Sequence, residues 1–350
     1  MPPASAARPA VPPATPPAAP PAPLPTRRVG SLTVGAQGLG CLGLSEFYGP
    51  VAPDTAVATI RRALDLGVTL LDTADVYGHG ANEELVGRAV AGRRDEAVIS
   101  TKFGVVRPGP GVGTGIRGDA VHVRESCEAS LRRLGVDHID LFTLTRPDRN
   151  VPVEETVGAL AELQKAGKIR EFGLSEAGPR TLERAHAVAP VAALQTEWSL
   201  WSRGIEREVV EVCRRLGIAI VPYAPLGRGF LTGTVRSADA FGEGDFRGFG
   251  LPRFTRENLA ANLPLADRLT ALAAGLGTTA ARLALAWLHH RGPDVVPVPG
   301  TGDPEHLTEN ASAVGLRLTP SQLAAIEAAV PADEVHGARW NEQSLAYVEE

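Results

Sequence analysis

Lysine is nearly missing from this chain. Only Lys102, Lys165 and Lys168 occur in 350 residues, against a background of arginine. Such a bias is what a GC-rich genome produces, and it gives weight to a lysine inside a motif, because arginine cannot supply a titratable amine. Cysteine is also scarce. Cys41, Cys127 and Cys213 are far apart and odd in number. That excludes a disulfide framework and metal-ligand spacing, and leaves them as buried small hydrophobes in a reducing compartment. Positive charge is not in excess. A net charge of −5 lacks the basic face that nucleic-acid binding requires. No run of about eighteen apolar residues occurs, so neither a spanning helix nor a membrane partner is expected. With no targeting pattern either, a cytoplasmic location is expected.

What is present is ordinary globular composition, 44% hydrophobic and 21% charged. The length suffices for a large core, in one big domain or two smaller ones. Residues 1–26 are almost entirely Pro and Ala and are expected to form a disordered, extended tail. Residues 27–350 then read as a single domain. A short hairpin is expected over 28–33, with its turn at Gly30 and Ser31. The spacing predicts strands over 38–42, 68–72, 97–102, 139–144, 169–174, 192–196, 218–223 and 295–298. Helices are expected over 54–67, 82–91, 120–134, 153–166, 180–188, 205–216, 264–276, 279–289, 304–313 and 320–329. The strands are short, apolar on both faces and rich in Val, Ile and Leu, as in a parallel sheet covered by helices. Eight strand–helix units in order predict an α/β fold, the closed (β/α)8 TIM barrel. The rival is an open doubly wound sheet, whose glycine fingerprint is matched in spacing by residues 38–43. No helix opens there, however, and a loop pattern follows.

In a barrel the loops after the strands share one rim, which hosts the active site. Asp72 and Tyr77 of L-D-T-A-D-V-Y-G follow the second strand. Lys102 of S-T-K-F-G ends the third and Thr145 of T-L-T-R-P-D the fourth. A free phenol titrates near pH 10. A lysine beside it is expected to lower that value, and an aspartate to keep the lysine charged. Tyr77 is the candidate general acid.

The segments G-L-G-C-L-G-L-S-E-F-Y-G, L-D-T-A-D-V-Y-G, S-T-K-F-G, G-L-S-E, Q-T-E-W-S-L and Y-A-P-L-G-R-G-F-L-T-G resemble the aldo-keto reductase superfamily, in the family's order. The resemblance is strongest to the bacterial and plant branch with a G-R-G-F-L-T-G segment. It implies NADPH- or NADH-dependent reduction of a small-molecule carbonyl, an aldehyde or ketone, to an alcohol. It places the catalytic tetrad at Asp72, Tyr77, Lys102 and Thr145, with threonine where the family has histidine. It places nicotinamide contacts at Ser175, Glu176, Gln195 and Tyr223, and a pyrophosphate loop at Leu226, Gly227 and Arg228. The adenosine end falls on Gly300, Thr301, Gly302, His306, Glu309 and Asn310. The stretch G-T-G-D-P-E-H has no strong cation for a 2′-phosphate, which tilts the expectation away from strict NADPH use. His79 is a minor candidate to stand in for the missing histidine. Trp198, Trp201, Phe47 and Tyr48 are candidates for a substrate wall or for core, and residues 232–257 for a lid. Two other readings stay open. One is a nicotinamide-binding protein with little catalysis, like the channel β-subunits of the superfamily. The other is a biosynthetic enzyme in which Thr145 makes room for a bulky substrate.

Overall fold

A computed structural model describes residues 24–106 and 115–349. The tail expected over 1–26 lies outside the described residues up to position 23. Thr26, at its end, already belongs to a strand.

Strands β1 (Thr26–Val29) and β2 (Leu32–Gly35) pair antiparallel around Gly30, at φ +57°. Val29, Leu32 and Val34 are buried in one cluster with Leu70, Leu141, Ala193, Val221, Val296 and Val298. That cluster is the barrel interior, so the hairpin plugs the floor of the barrel. The fit is close. A Cβ on Gly30 would come within 2.8 Å of Ala192 and Glu171, and the Ser31 N–H donates to the Glu171 carboxylate at 2.6 Å.

The barrel staves are β3 (Leu39–Gly40), β4 (Leu70–Asp72) and β5 (Val98–Phe103). A small antiparallel hairpin, β6 (Val105–Val106) and β7 (Gly115–Ile116), follows β5 and has no counterpart in the sequence expectations. The staves continue with β8 (Ile139–Leu144), β9 (Ile169–Ser175), β10 (Ala193–Glu197) and β11 (Ala219–Tyr223). All seven are parallel and lie side by side in chain order.

The eighth stave differs from the strand expected over 295–298. It forms only isolated bridges, at Ile220 with Val295 and Gly40 with Gly300. The cause is proline, which has no N–H to give a ladder. Val296 and Val298 donate to the carbonyls of Ile220 and Pro222 at 2.8 and 2.9 Å. On the other side, Pro297 and Pro299 accept from Gly38 and Gly40 at 3.0 and 3.1 Å. The segment thus closes the barrel with half of a ladder on each edge.

The covering helices are α1 (Pro53–Asp65), α2 (Ala81–Val90), α3 (Ala120–Leu134), α4 (Val153–Lys165), α5 (Pro179–Val188) and α6 (Val209–Leu216). A one-turn helix α7 (Arg247–Gly250) precedes α8 (Arg256–Gly275), α9 (Ala280–His289), α10 (Pro304–Ser312), α11 (Pro320–Ala329) and a short α12 (Glu342–Leu345). Their apolar faces bury against the outside of the staves in one continuous core. Local signals match: Asp119 caps α3 by accepting from the His122 N–H at 3.0 Å, and Thr319 and Gln322 form a capping box on α11. Helix α8 begins at Arg256, eight residues before the expected start at Pro264. Proline favours a helix's first turn. Here Leu259, Leu265, Ala266 and Leu269 are all buried and hold both sides of the proline on the core. Helix α6 begins at Val209, because residues 204–206 form a separate 3-10 turn. Among the described residues no single helix is long and apolar enough to cross a membrane.

Candidate active site

Parallel register brings the rim residues together. Asp72 sits opposite Ser100 across β4 and β5, Lys102 opposite Thr143 across β5 and β8, and Gln195 opposite Ser175 across β10 and β9. The Lys102 Nζ donates to Asp72 Oδ2 and to the Thr73 carbonyl, both at 2.6 Å. The other Asp72 oxygen accepts from Ser100 Oγ at 2.9 Å and Gln195 Nε2 at 2.8 Å. Asp72 and Lys102 are buried. Beyond β4 the chain turns sharply through Gly78, His79 and Gly80, all at positive φ. That turn sets the Tyr77 side chain against Lys102, with Nζ 5.1 Å from the ring centroid, close enough for the ammonium to act on the phenol.

The ionisation of this unit corrects one expectation. Burial pushes the Tyr77 phenol up; Lys102 and Arg146 pull it down; the net direction is upward. Lysine therefore moderates the phenol but does not bring it below its ordinary value. Burial also opposes the charge on Lys102, but Asp72 and Tyr77 outweigh it and hold the ammonium above its usual range. The unit is a protonated phenol beside a charged ammonium.

Thr145 ends the fourth stave, as expected. Its N–H donates to the Phe103 carbonyl at 2.8 Å, and its buried Oγ1 has no partner among the described residues. His79 is exposed. It lines a cavity of about 380 Å³ with Asp75, His122 and Arg133, in whose walls Asp72, Lys102 and Thr145 take no part.

The candidate nicotinamide residues lie on adjacent stave ends. Ser175 ends β9, is buried, and accepts from the Arg146 Nη1 at 3.4 Å. Gln195 reaches Asp72, as above. Tyr223 ends β11; its buried hydroxyl lies near the Glu176 carboxylate without a partner in hydrogen-bond range. Burial first, then Glu176 and Glu197, push this phenol well above its ordinary value. Glu176, at φ +55°, turns elsewhere. It accepts from the Arg339 Nη1 at 2.8 Å, the Glu197 N–H at 2.9 Å and the Thr196 hydroxyl at 3.2 Å. Burial opposes its charge, but Arg339 and Arg146 win and hold the carboxyl below its usual range.

Leu226, Gly227 and Arg228 form a tight loop in which Gly227 and Arg228 both have φ +56°. The Arg228 guanidinium points to Glu197 (3.3 Å) and the Tyr48 hydroxyl (3.2 Å). At the far end, Gly300 passes so close to β3 that a Cβ would sit 2.9 Å from the Gly40 carbonyl oxygen. The Gly302 carbonyl accepts from Thr59 at 3.2 Å. Thr301 Oγ1 accepts from the Asp303 N–H at 3.0 Å. Asp303 caps α10, accepting from the N–H groups of Glu305 and His306 at 2.7 and 3.4 Å. His306 is exposed, Glu309 half-buried and Asn310 buried.

Sequence reasoning missed the C-terminal segment. Residues 331–349 cross the rim, held by Arg339 on Glu176, by the Glu349 N–H on the Glu176 carbonyl (3.1 Å) and by the Gly178 N–H on the Glu349 carboxylate (2.9 Å). They bring Trp340 beneath Arg228, 4.5 Å from ring centroid to Cζ, and 6.0 Å from both Arg146 and the Phe246 ring. Trp198 and Trp201 are core: both are buried, Trp198 edge-on to Trp287 and Trp201 stacked on Phe230. Phe47 and Tyr48 reach the rim, Phe47 against Phe246 and Tyr48 against Arg228 and Arg247. The segment 232–257 thus supplies Phe246 and Arg247 to the same wall.

Fold and rim together define a (β/α)8 enzyme with a phenol–ammonium–carboxylate unit at its catalytic end. The model of the aldo/keto reductase family matches residues 36–331, and the chain belongs to that family; it is an oxidoreductase. It is similar to the glycerol dehydrogenase of Gluconobacter oxydans, with 30% identity and a TM-score of 0.79 over 87% of this chain and 94% of that one. It is also similar to an aldo-keto reductase of Klebsiella pneumoniae solved with NADPH: 28% identity, TM-score 0.69, 91% and 99% covered. An aldo-keto reductase of Bacillus halodurans, in its holo form, matches at 26% identity and TM-score 0.73, with 91% and 99% covered.

Proposed function

We propose that this chain reduces an aldehyde or ketone to the alcohol with NADH or NADPH, using Tyr77 as general acid. The observation that carries the reading is Lys102, buried, bonded to Asp72 and set against the Tyr77 ring. A positioned acid of this kind contributes a factor of about 10² to 10⁴. A phenol raised above its ordinary value keeps its proton at neutral pH, and the ammonium beside it stabilises the phenolate left after transfer. Asp72 fixes the ammonium, and Ser100 and Gln195 fix Asp72.

The rim fits a nicotinamide dinucleotide. The unpartnered Tyr223 hydroxyl and Thr145 Oγ1 are polar groups of the kind a polar ligand satisfies. When bound, the reduced nicotinamide supplies hydride to the carbonyl carbon. Ser175 and Gln195 would hold its carboxamide and Tyr223 would back its ring. Leu226 and Gly227 would carry the pyrophosphate; Gly300, Thr301, Gly302, His306, Glu309 and Asn310 the adenosine. Glu176 serves the C-terminal segment in this reading, and Arg228 acts through its pair with Glu197. The Asp303 carboxylate already occupies the N-terminus of α10, the natural place for an anion, so NADH is favoured over NADPH. Nicotinamide oxidation with a panel of aliphatic and aromatic aldehydes, run with both cofactors, tests the reading. Turnover with NADH ahead of NADPH is expected; cofactor binding without turnover on any carbonyl would overturn it.

A further inference from the structure

Among the described residues, four arginine and lysine cations gather around Tyr77 and Tyr223, and three of them are matched by a carboxylate. Lys102 pairs with Asp72 at 2.6 Å, Arg339 with Glu176 at 2.8 Å and Arg228 with Glu197 at 3.3 Å. The fourth, Arg146, has no carboxylate within ion-pair distance among the described residues. Its Nη1 donates to the Thr145 carbonyl at 2.6 Å and the Ser175 hydroxyl at 3.4 Å. Its Nε and Nη2 have no protein partner among the described residues, and neither is a sealed-off buried atom. Arg253, under the C-terminal segment, also has no carboxylate within ion-pair distance among the described residues. It is spent on protein acceptors, the Trp201 and Gly337 carbonyls and the Ser202 hydroxyl.

Glu176, which Arg146 influences from beyond ion-pair distance, is already paired with Arg339, and a half-buried guanidinium with no carboxylate in contact is costly unless an anion answers it. Its fork suits one with two oxygens. Its place is at the reacting end of the site. It lies next to the Thr145 that stands where the family has histidine, over Trp340, and close enough to Tyr77 and Tyr223 to lower both phenols. We propose that Arg146 recognises a carboxylate on the substrate, so that the preferred substrates are carbonyl compounds that also carry a carboxylate group. The inference rests on the carbonyl-reductase reading for its reaction, but not for its binding site. A phosphate of the cofactor is the other anion with this chemistry. The phosphates belong to the Leu226 and Gly300 end, whereas Arg146 touches Ser175 and Thr145.

The test compares two four-carbon aldehydes, 4-oxobutanoate and butanal, in the wild type and in Arg146→Leu and Arg146→Lys. The wild type is expected to prefer 4-oxobutanoate in kcat/KM by about ten- to hundred-fold, the range of one charge-assisted contact. Arg146→Leu should collapse that ratio toward one, mainly through KM, and Arg146→Lys should restore part of it. Equal losses on both aldehydes, or an unchanged ratio, would overturn the proposal. So would a loss confined to cofactor affinity, measured by nucleotide fluorescence, which would give Arg146 to a cofactor phosphate. A second arm needs no turnover: succinate is titrated against enzyme holding oxidised cofactor, read by tryptophan fluorescence. Succinate binding lost in Arg146→Leu supports the anion site even if no carbonyl is reduced, an outcome that would sink only the reductase reading. Equal succinate binding in wild type and variant overturns the anion site.

Discussion

Asp75 stands two residues before Tyr77, and replacing it with asparagine should stabilise the protein more as the pH rises. Its main-chain N–H donates to the Lys102 carbonyl at 3.0 Å, but its Oδ1 is buried without a partner. Burial first, and then the neighbouring Glu83, push its carboxyl up to about 7, against the pull of Arg133 and Lys102. An aspartate ordinarily titrates near 3.8. The folded chain therefore holds a proton that the unfolded chain has released. Such a group favours folding least at high pH: the penalty begins near the unfolded value and is complete above the folded one. At 1.36 kcal/mol per unit, it is about 1.5 kcal/mol at pH 5 and about 4 kcal/mol at pH 8. Asparagine carries no charge and escapes both. The advantage of Asp75→Asn should thus grow by about 2.5 kcal/mol between pH 5 and pH 8, or about 4 °C in Tm for a chain of this size. Thermal melts of both proteins at the two pH values, at fixed ionic strength, measure it. An advantage that is flat or shrinks as pH rises would show that Asp75 is ionised in the folded state and that the argument from burial fails.

Three further outcomes are expected. Tyr77→Phe removes the proton donor and should lower kcat by about 10² to 10⁴ while cofactor affinity stays within about twofold, read by steady-state kinetics and nucleotide titration; a kcat near that of the wild type would take Tyr77 out of the reaction. Thr145→His restores a donor toward the carbonyl oxygen, an interaction type whose removal elsewhere costs about 3 kcal/mol, so kcat on simple aldehydes should rise; a fall would mean that Thr145 is shaped for a larger substrate. Asp303→Asn keeps the helix cap, because asparagine caps as well as aspartate, but removes the charge, so NADPH should gain on NADH by about five- to tenfold in kcat/KM; an unchanged ratio would place the 2′-phosphate away from α10.

The barrel was legible because its period is strong. Seven of eight staves and helices such as α3 and α11 fall where alternation and caps put them, since both signals are local. The misses have physical causes. The eighth stave has a strand's apolar pattern, yet Pro297 and Pro299 withhold its donors. Pro264 is punctuation in a sequence, but burial on both sides of it carries α8 through. Asp72, Tyr77 and Lys102 were legible as a set because each lies at or just beyond the end of a recognisable stave, and register brings Asp72 and Lys102 together. Glu197 and Arg339 were not. Their roles are to neutralise Arg228 and Glu176, and the latter pair joins residues 163 positions apart, with no periodic trace. Arg146 did leave a signal, directly beside the position where histidine is missing.

That neighbourhood explains how a rim can depart from its family's pattern and still hold together. Glu176 brings a buried negative charge to the end of β9, and breaking a buried pair by removing one partner is strongly destabilising. The chain answers with Arg339 from its C-terminal segment, and the same segment then carries Trp340 into place beside Arg146 and Arg228. The position of Trp340 is therefore coupled to an ion pair outside the acid–base unit. Removing the Glu176 charge should release the segment before it disturbs Asp72, Lys102 or Tyr77, because Asp72 is held by the Lys102, Ser100 and Gln195 side chains and none of these bonds the Glu176 or Arg339 side chain. The Glu176 main chain does reach the unit's support, its N–H donating to the Gln195 carbonyl at 3.0 Å, but side-chain substitutions leave that bond in place, so substitutions at Glu176 or Arg339 should change which carbonyl is taken well before they abolish reduction.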